Sequence, residues 1–130
     1  MDFSWTSFKI LFSFWGGAVL SLLGAYDSIL KALLYFIVID FITGVLKAVY
    51  EKKLDPEKIF VGVMRKMVIL IIVSVAVRLE WTFGDVLPIR ETVIFFYIVQ
   101  EFLSIIKNAV VFTPIPNELL NYFDKKKGGK

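Results

Sequence analysis

Four long apolar runs, joined by connections too short for a second layer of structure, constrain most of what this 130-residue chain can become. The runs cover residues 8–25, 29–50, 63–79 and 92–112. At 1.5 Å per helical residue the first alone reaches about 27 Å, close to the ~30 Å hydrocarbon core of a bilayer. Composition agrees: 58% of the residues are hydrophobic and mean hydropathy is +0.74, whereas soluble domains hold about 45–50% apolar residues. So much apolar surface finds no polar shell in water. The reading is an all-α integral membrane protein, one domain over 1–130, with about four transmembrane helices and short loops. The alternative is three spans plus an N-terminal anchor or in-plane helix over 8–25. A cleaved signal peptide fits poorly, because the start carries only Lys9 against Asp2 and no good cleavage pattern surrounds Ala25.

Turn chemistry places the connections. Tyr26, Asp27 and Ser28 make a tight turn between the first two runs. Asp55, Pro56 and Glu57 form a helix-start signal: Asp caps, Pro suits the first turn, and Glu faces the positive helix end. That signal moves the third helix earlier than its apolar run. Residues 80–91 read as a turn with Trp81 and Phe83. Pro114 and Pro116 stop the fourth helix. The tail 113–130 reads as cytoplasmic, with a short amphipathic helix over 117–124 (Leu119, Leu120 and Phe123 toward lipid) and a basic end.

Nine of the fifteen Lys/Arg residues fall in 51–66 and 125–130. This clustering reads as topology rather than as a nucleic-acid surface. Lys52, Lys53, Lys58, Arg65 and Lys66, with Lys125, Lys126 and Lys127, are expected at the membrane surface facing the cytoplasm. There they orient the chain and meet anionic lipid, Arg65 and Lys66 reaching the headgroups from the start of the third span. The loop 80–91 sets Arg90 against Glu80, Asp85 and Glu91 and faces outward. Four spans then leave both termini inside.

The residues that carry chemistry are polar ones within apolar runs. Asp40, Thr43, Gly44 and Lys47 share one helix face, as do Glu101, Ser104 and Asn108, with Gln100 and Lys107 flanking. Ser74 and Arg78 stand one turn apart in the third run. An ionised residue at mid-membrane costs about 2.5–3.5 kcal/mol, so Asp40 and Glu101 must face protein, water or each other. Two readings stay open. Either buried pairs, such as Asp40 with Arg78 or Lys107, specify helix packing, or the stripes line an aqueous path once several copies assemble. In the first run Ser13, Gly17 and Ser21, with Gly16 alongside, offer a small-residue packing face, and Gly44 offers one in the second.

With no cysteine and no histidine, disulfides, zinc fingers, Ser-His-Asp triads and imidazole switches are excluded. Asp40 is the single aspartate deep in a run, so a two-aspartate protease fails as well. No Gly-rich phosphate loop is present. Neither enzyme activity, cofactor nor metal is expected.

Laid out in order, several short pieces resemble the phage holin and toxin-secretion holin family over about residues 26–123. They are the Asp40, Thr43, Gly44 core with Lys47, then Lys53-Leu54-Asp55, Gly62-Val63-Met64-Arg65-Lys66, the Glu101 to Asn108 segment, and Pro114-Ile115-Pro116. Two positions depart from the family pattern: Lys107 stands where Glu is frequent, and Asp55 where Ser is frequent. The resemblance implies a homo-oligomer of the bacterial cytoplasmic membrane that opens holes for timed lysis. Its functional partner would be an endolysin or an exported toxin, without direct contact being required. A selective ion channel or transporter subunit, and a non-conducting scaffold or antiholin, are the alternatives.

Overall fold

The computed structural model describes residues 4–113 and residue 121, and the described residues form four helices and no strand. They are α1 (Trp5–Leu22), α2 (Ser28–Tyr50), α3 (Pro56–Thr82) and α4 (Ile89–Ala109). The expected tail helix over 117–124 and the lysines at 125–127 lie outside the described residues, apart from Asn121.

Local chemistry sets each boundary. Ser4 caps α1 by accepting from the Ser7 N–H, and Asp27 caps α2 by accepting from Leu30. Asp55 accepts from Glu57 with Pro56 in the first turn, so α3 starts seven residues before its apolar run. It also runs on through Thr82, into the expected turn. Gly84 then takes a left-handed φ of 71°, which lets Asp85 donate back to the Glu80 carbonyl. α4 begins at Ile89 rather than 92, because Pro88 has no N–H to place inside the ladder. Lys52 adopts φ 55° to close α2, a position where glycine is usual.

The core is a set of single stripes. Leu30, Leu33 and Ile37 of α2, Ile69, Val73, Ala76 and Val77 of α3, and Ile94 of α4 recur at three-, four- and seven-residue spacing and are buried. α4 packs along both α2 and α3. Asp27 meets Arg90 at one end of the bundle, and Tyr50 packs against Phe112 at the other with tilted rings whose centroids are 5.0 Å apart. α2 and α4 therefore run parallel, with α3 antiparallel to both. Lengths of 23 and 27 residues give α2 and α3 about 34 and 40 Å, and both are long and apolar enough to cross a membrane.

α1 stands apart. None of Trp5–Leu22 is buried, and a Cβ added at Gly16 or Gly17 would meet nothing within 4 Å. The small-residue face of Ser13, Gly17 and Ser21 thus touches no other helix of the same chain. Only the C-terminal end of α1 is tied down, through Leu20 and Leu23 in the core and through Arg90.

Arg90 is the knot. Read from sequence as an exposed loop charge, it is 7% exposed. Its guanidinium donates to the Leu23 carbonyl at 2.7 Å, the Ala25 carbonyl at 2.8 Å and both Asp27 carboxylate oxygens at 2.9 and 3.1 Å. Leu23 is the C-cap of α1 and Ala25 lies in the turn beyond it, so the guanidinium satisfies carbonyls at the α1–α2 corner. Gly24 makes room: its φ is 98°, and a Cβ there would fall 2.5 Å from Arg90 Nε. The Arg90 hydrogen bonds hold the Asp27 carboxyl below its ordinary value of 3.8, with help from the Leu30 N–H and against the effect of burial. A carboxylate depressed in this way stabilises the fold fully above its ordinary pKa, and the contribution fades as pH falls through the lower folded value. Spin labels on α1 and α4 should therefore keep one narrow distance between about pH 5 and 8 and broaden only below about pH 4. Arg90→Gln and Gly24→Ala should broaden it at neutral pH. An unchanged distance in both variants would remove the knot from the account.

Candidate functional site

The stripes that build the core turn polar toward the end of α2. Asp40 continues Leu33 and Ile37, while Glu101 and then Asn108 continue Ile94 at seven-residue intervals. The same geometry that packs leucine therefore delivers two carboxyls and an amide into the bundle. Asp40 is 7% exposed and Glu101 3%.

Lys66 of α3 joins them. Its ammonium donates to Asp40 Oδ2 and to Glu101 Oε2. Asn108 Nδ2 donates to Asp40 Oδ1 at 3.1 Å and to Thr43 Oγ1 at 3.0 Å. Thr43 in turn donates to the Ile39 and Asp40 carbonyls at 2.9 and 3.1 Å, and Ser104 lines the cavity beside the cluster. Among the described residues no buried side-chain nitrogen or oxygen lacks a partner. Three helices are thus joined by one lysine between two acids, and the amide meets the other Asp40 oxygen.

The Asp-x-x-Thr-Gly spacing acquires a reason here. Asp40 and Thr43 accept from Asn108, and Gly44 lies beneath that amide: a Cβ at Gly44 would sit 3.6 Å from Asn108 Nδ2. That is ordinary contact, so Gly44→Ala fits.

Other sequence expectations fare differently. Asp40 pairs with neither Arg78 nor Lys107. Both are exposed, and no ion pair to Lys47, Arg78 or Lys107 occurs among the described residues. Lys66 is not a surface lysine at the start of the third span, as an apolar run beginning at 63 implies. With α3 starting at Pro56, Lys66 lies ten residues in, about 15 Å along the axis. Arg65, its neighbour, is exposed as expected, and so are Lys52, Lys53 and Lys58.

Beside the cluster lies a cavity of about 760 Å³ between α2, α3 and α4. Asp40, Lys66, Glu101 and Asn108 line one part of it. Lys53, Lys58 and Arg65 line another.

Residues 17–127 match the bacteriophage holin family. The chain belongs to that family. It is 38% identical to an uncharacterized protein of Listeria innocua serovar 6a, over 86% of this chain and 84% of the relative. It is 37% identical to one of Listeria monocytogenes serovar 1/2a, over 82% and 79%. An uncharacterized 14.9 kDa protein encoded in the nagH 3' region of Clostridium perfringens is 36% identical, over 74% of each chain. No solved structure matches. This holin-family chain is accordingly a membrane protein, and its family is not one of enzymes. The matched region contains the whole cluster, the cavity and the Arg90 knot, and it begins at Gly17, so most of α1 precedes it.

Removing one partner of a buried ion pair leaves uncompensated charge and costs about 3–5 kcal/mol. In detergent, Lys66→Met should lower the stability of the folded chain by that order, read from denaturant-induced loss of helical circular dichroism. Gly44→Ala should stay within about 0.5 kcal/mol of the parent. Equal stability of Lys66→Met and parent would mean the ammonium does not hold the two carboxyls.

Proposed function

We propose that this chain is a working holin: a multi-pass protein of the bacterial cytoplasmic membrane, with four spans and both termini inside, whose copies assemble into non-selective holes. Those holes release a murein-degrading endolysin at a set time or let a toxin out. Family membership supports the class. The observation that carries the mechanism is the self-contained Asp40–Lys66–Glu101 cluster inside an otherwise apolar bundle.

Within one chain the two carboxyls are matched to Lys66 and, at Asp40, to Asn108, whose amide is also held by Thr43, and this defines the closed arrangement. In an assembly the same groups can exchange these partners for water, and Asp40, Thr43, Lys47, Glu101, Ser104 and Asn108 then face the hole. Arg78 and Lys107, exposed and without ion-pair partners among the described residues, are available to line the same path. The outward face of α1, with Ser13, Gly16, Gly17 and Ser21, provides the lateral contact between copies. The membrane potential biases the exchange, since each charge carried through 100 mV is worth about 2.3 kcal/mol.

Inducing the chain in bacteria, with and without a co-expressed endolysin, while following graded fluorescent markers tests this reading. Abrupt lysis only with the endolysin, and escape of protein-sized markers, are expected. Passage of small ions with retention of every marker would indicate a selective channel, and passage of neither a scaffold or antiholin. The Asp40→Leu/Glu101→Leu variant should insert normally yet fail to open. If it triggers on the parental schedule, the polar groups do not face the hole.

A further inference from the structure

The cluster accounts for only one part of the 760 Å³ cavity. The rest has a different character. Lys53, from the α2–α3 connection, Lys58, from the first turn of α3, and Arg65, two turns deeper, all line it, and none makes an ion pair among the described residues. The acid beside them, Asp55, is engaged in capping α3 through the Glu57 N–H, and Glu57 lines only the adjoining hollow. By formal charge this part of the cavity carries three positive groups against one negative. Its walls are apolar. Phe41, Val61, Met64 and Val68 line it and are also exposed on the outside of the bundle, so an apolar chain could pass from the cavity into hydrocarbon without crossing a polar barrier. The Asp40–Lys66–Glu101 cluster lies about 12 Å further along α3 than Lys58, and Arg65, which adjoins Lys66 in sequence, marks the boundary between the two parts of the cavity.

A soluble anion would satisfy the cations and leave the walls wetted. A neutral apolar molecule would fill the walls and leave the cations unused. One class of molecule matches both: we propose that the cavity is a binding site for a single anionic phospholipid, its phosphodiester held by Lys53, Lys58 and Arg65 and one acyl chain lying along Phe41, Met64 and Val68. Basic pockets between membrane helices take anionic headgroups in this way, and the volume falls in the range of ligand sites. The proposal rests on the membrane reading of the chain and not on hole formation.

Native mass spectrometry of the full chain, purified in a zwitterionic detergent and mixed with equal phosphatidylglycerol and phosphatidylcholine, tests it. The parent should retain one phosphatidylglycerol in preference to phosphatidylcholine. Lys58→Gln/Arg65→Gln should weaken that retention roughly 25-fold, at about fivefold per basic residue. Lys58→Arg/Arg65→Lys should restore most of it, which separates lost charge from lost fold. Gly62→Leu should displace the lipid with every charge intact, because Gly62 lines the cavity and a Cβ there meets nothing within 4 Å. Lys31→Gln, an equal loss of charge remote from the cavity, should retain the lipid as the parent does. Equal retention of phosphatidylcholine, or an effect of Lys31→Gln as large as that of the double variant, would overturn the site. So would undiminished retention in Gly62→Leu, or displacement by soluble glycerol phosphate, which would reduce the site to one for free phosphate. Marker release does not enter this measurement, so either reading can fail alone.

Discussion

Two carboxyls carried into an apolar bundle by packing stripes need polar partners inside the same chain, and the arrangement of this protein follows from that requirement. Asp40 and Glu101 come from α2 and α4, which run parallel, and the lysine between them comes from the antiparallel α3. The cation must reach both acids at once, so the relative height of three helices is specified at one place. Apolar side chains alone specify height poorly in lipid, because leucine against leucine is nearly as good one turn higher. Buried ions are weak contributors to net stability and strong determinants of register. The apolar layers of Leu30, Leu33, Val73 and Ile94 then fill a frame whose alignment the ions set.

Much of this was readable from residue order. The helical class followed from run length and apolarity, and the facing of Asp40 with Thr43 and of Glu101 with Asn108 followed from the 3.6-residue period. What escaped was partner identity. Lys66 was assigned to the membrane surface because the apolar run began at 63, although the Asp55-Pro56-Glu57 start signal already implied a helix deep enough to bury it. Arg78 and Lys107 look equally suited by charge, but Arg78 lies twelve residues beyond Lys66 along α3, and Lys107, level with Asn108, is on the exposed face of α4. Arg90 escaped for another reason. Its partners are two backbone carbonyls and a capping aspartate some sixty-five residues away, and no periodicity encodes a contact to a helix end. Gly24 was the available signal, because a left-handed residue there leaves space that a long side chain can occupy.

Family membership and geometry meet at the same residues. The Asp-x-x-Thr-Gly pattern, which in sequence is only a short word, is in three dimensions a socket for the amide of Asn108, with the glycine as its floor. The departure at Lys107 does not touch this socket, since Lys107 is exposed while its neighbour Asn108 makes the contacts.

The single tether between α1 and the remaining helices has a thermodynamic consequence. An element joined to its neighbours only at one end contributes little to the cooperativity of the rest. Perturbations along Trp5–Leu22 and perturbations at Asp40 or Lys66 share no partner, and their free-energy effects should add without interaction. Coupling between these two parts runs through the α1–α2 corner, where Arg90 grips the Leu23 and Ala25 carbonyls while Leu20 and Leu23 pack into the core.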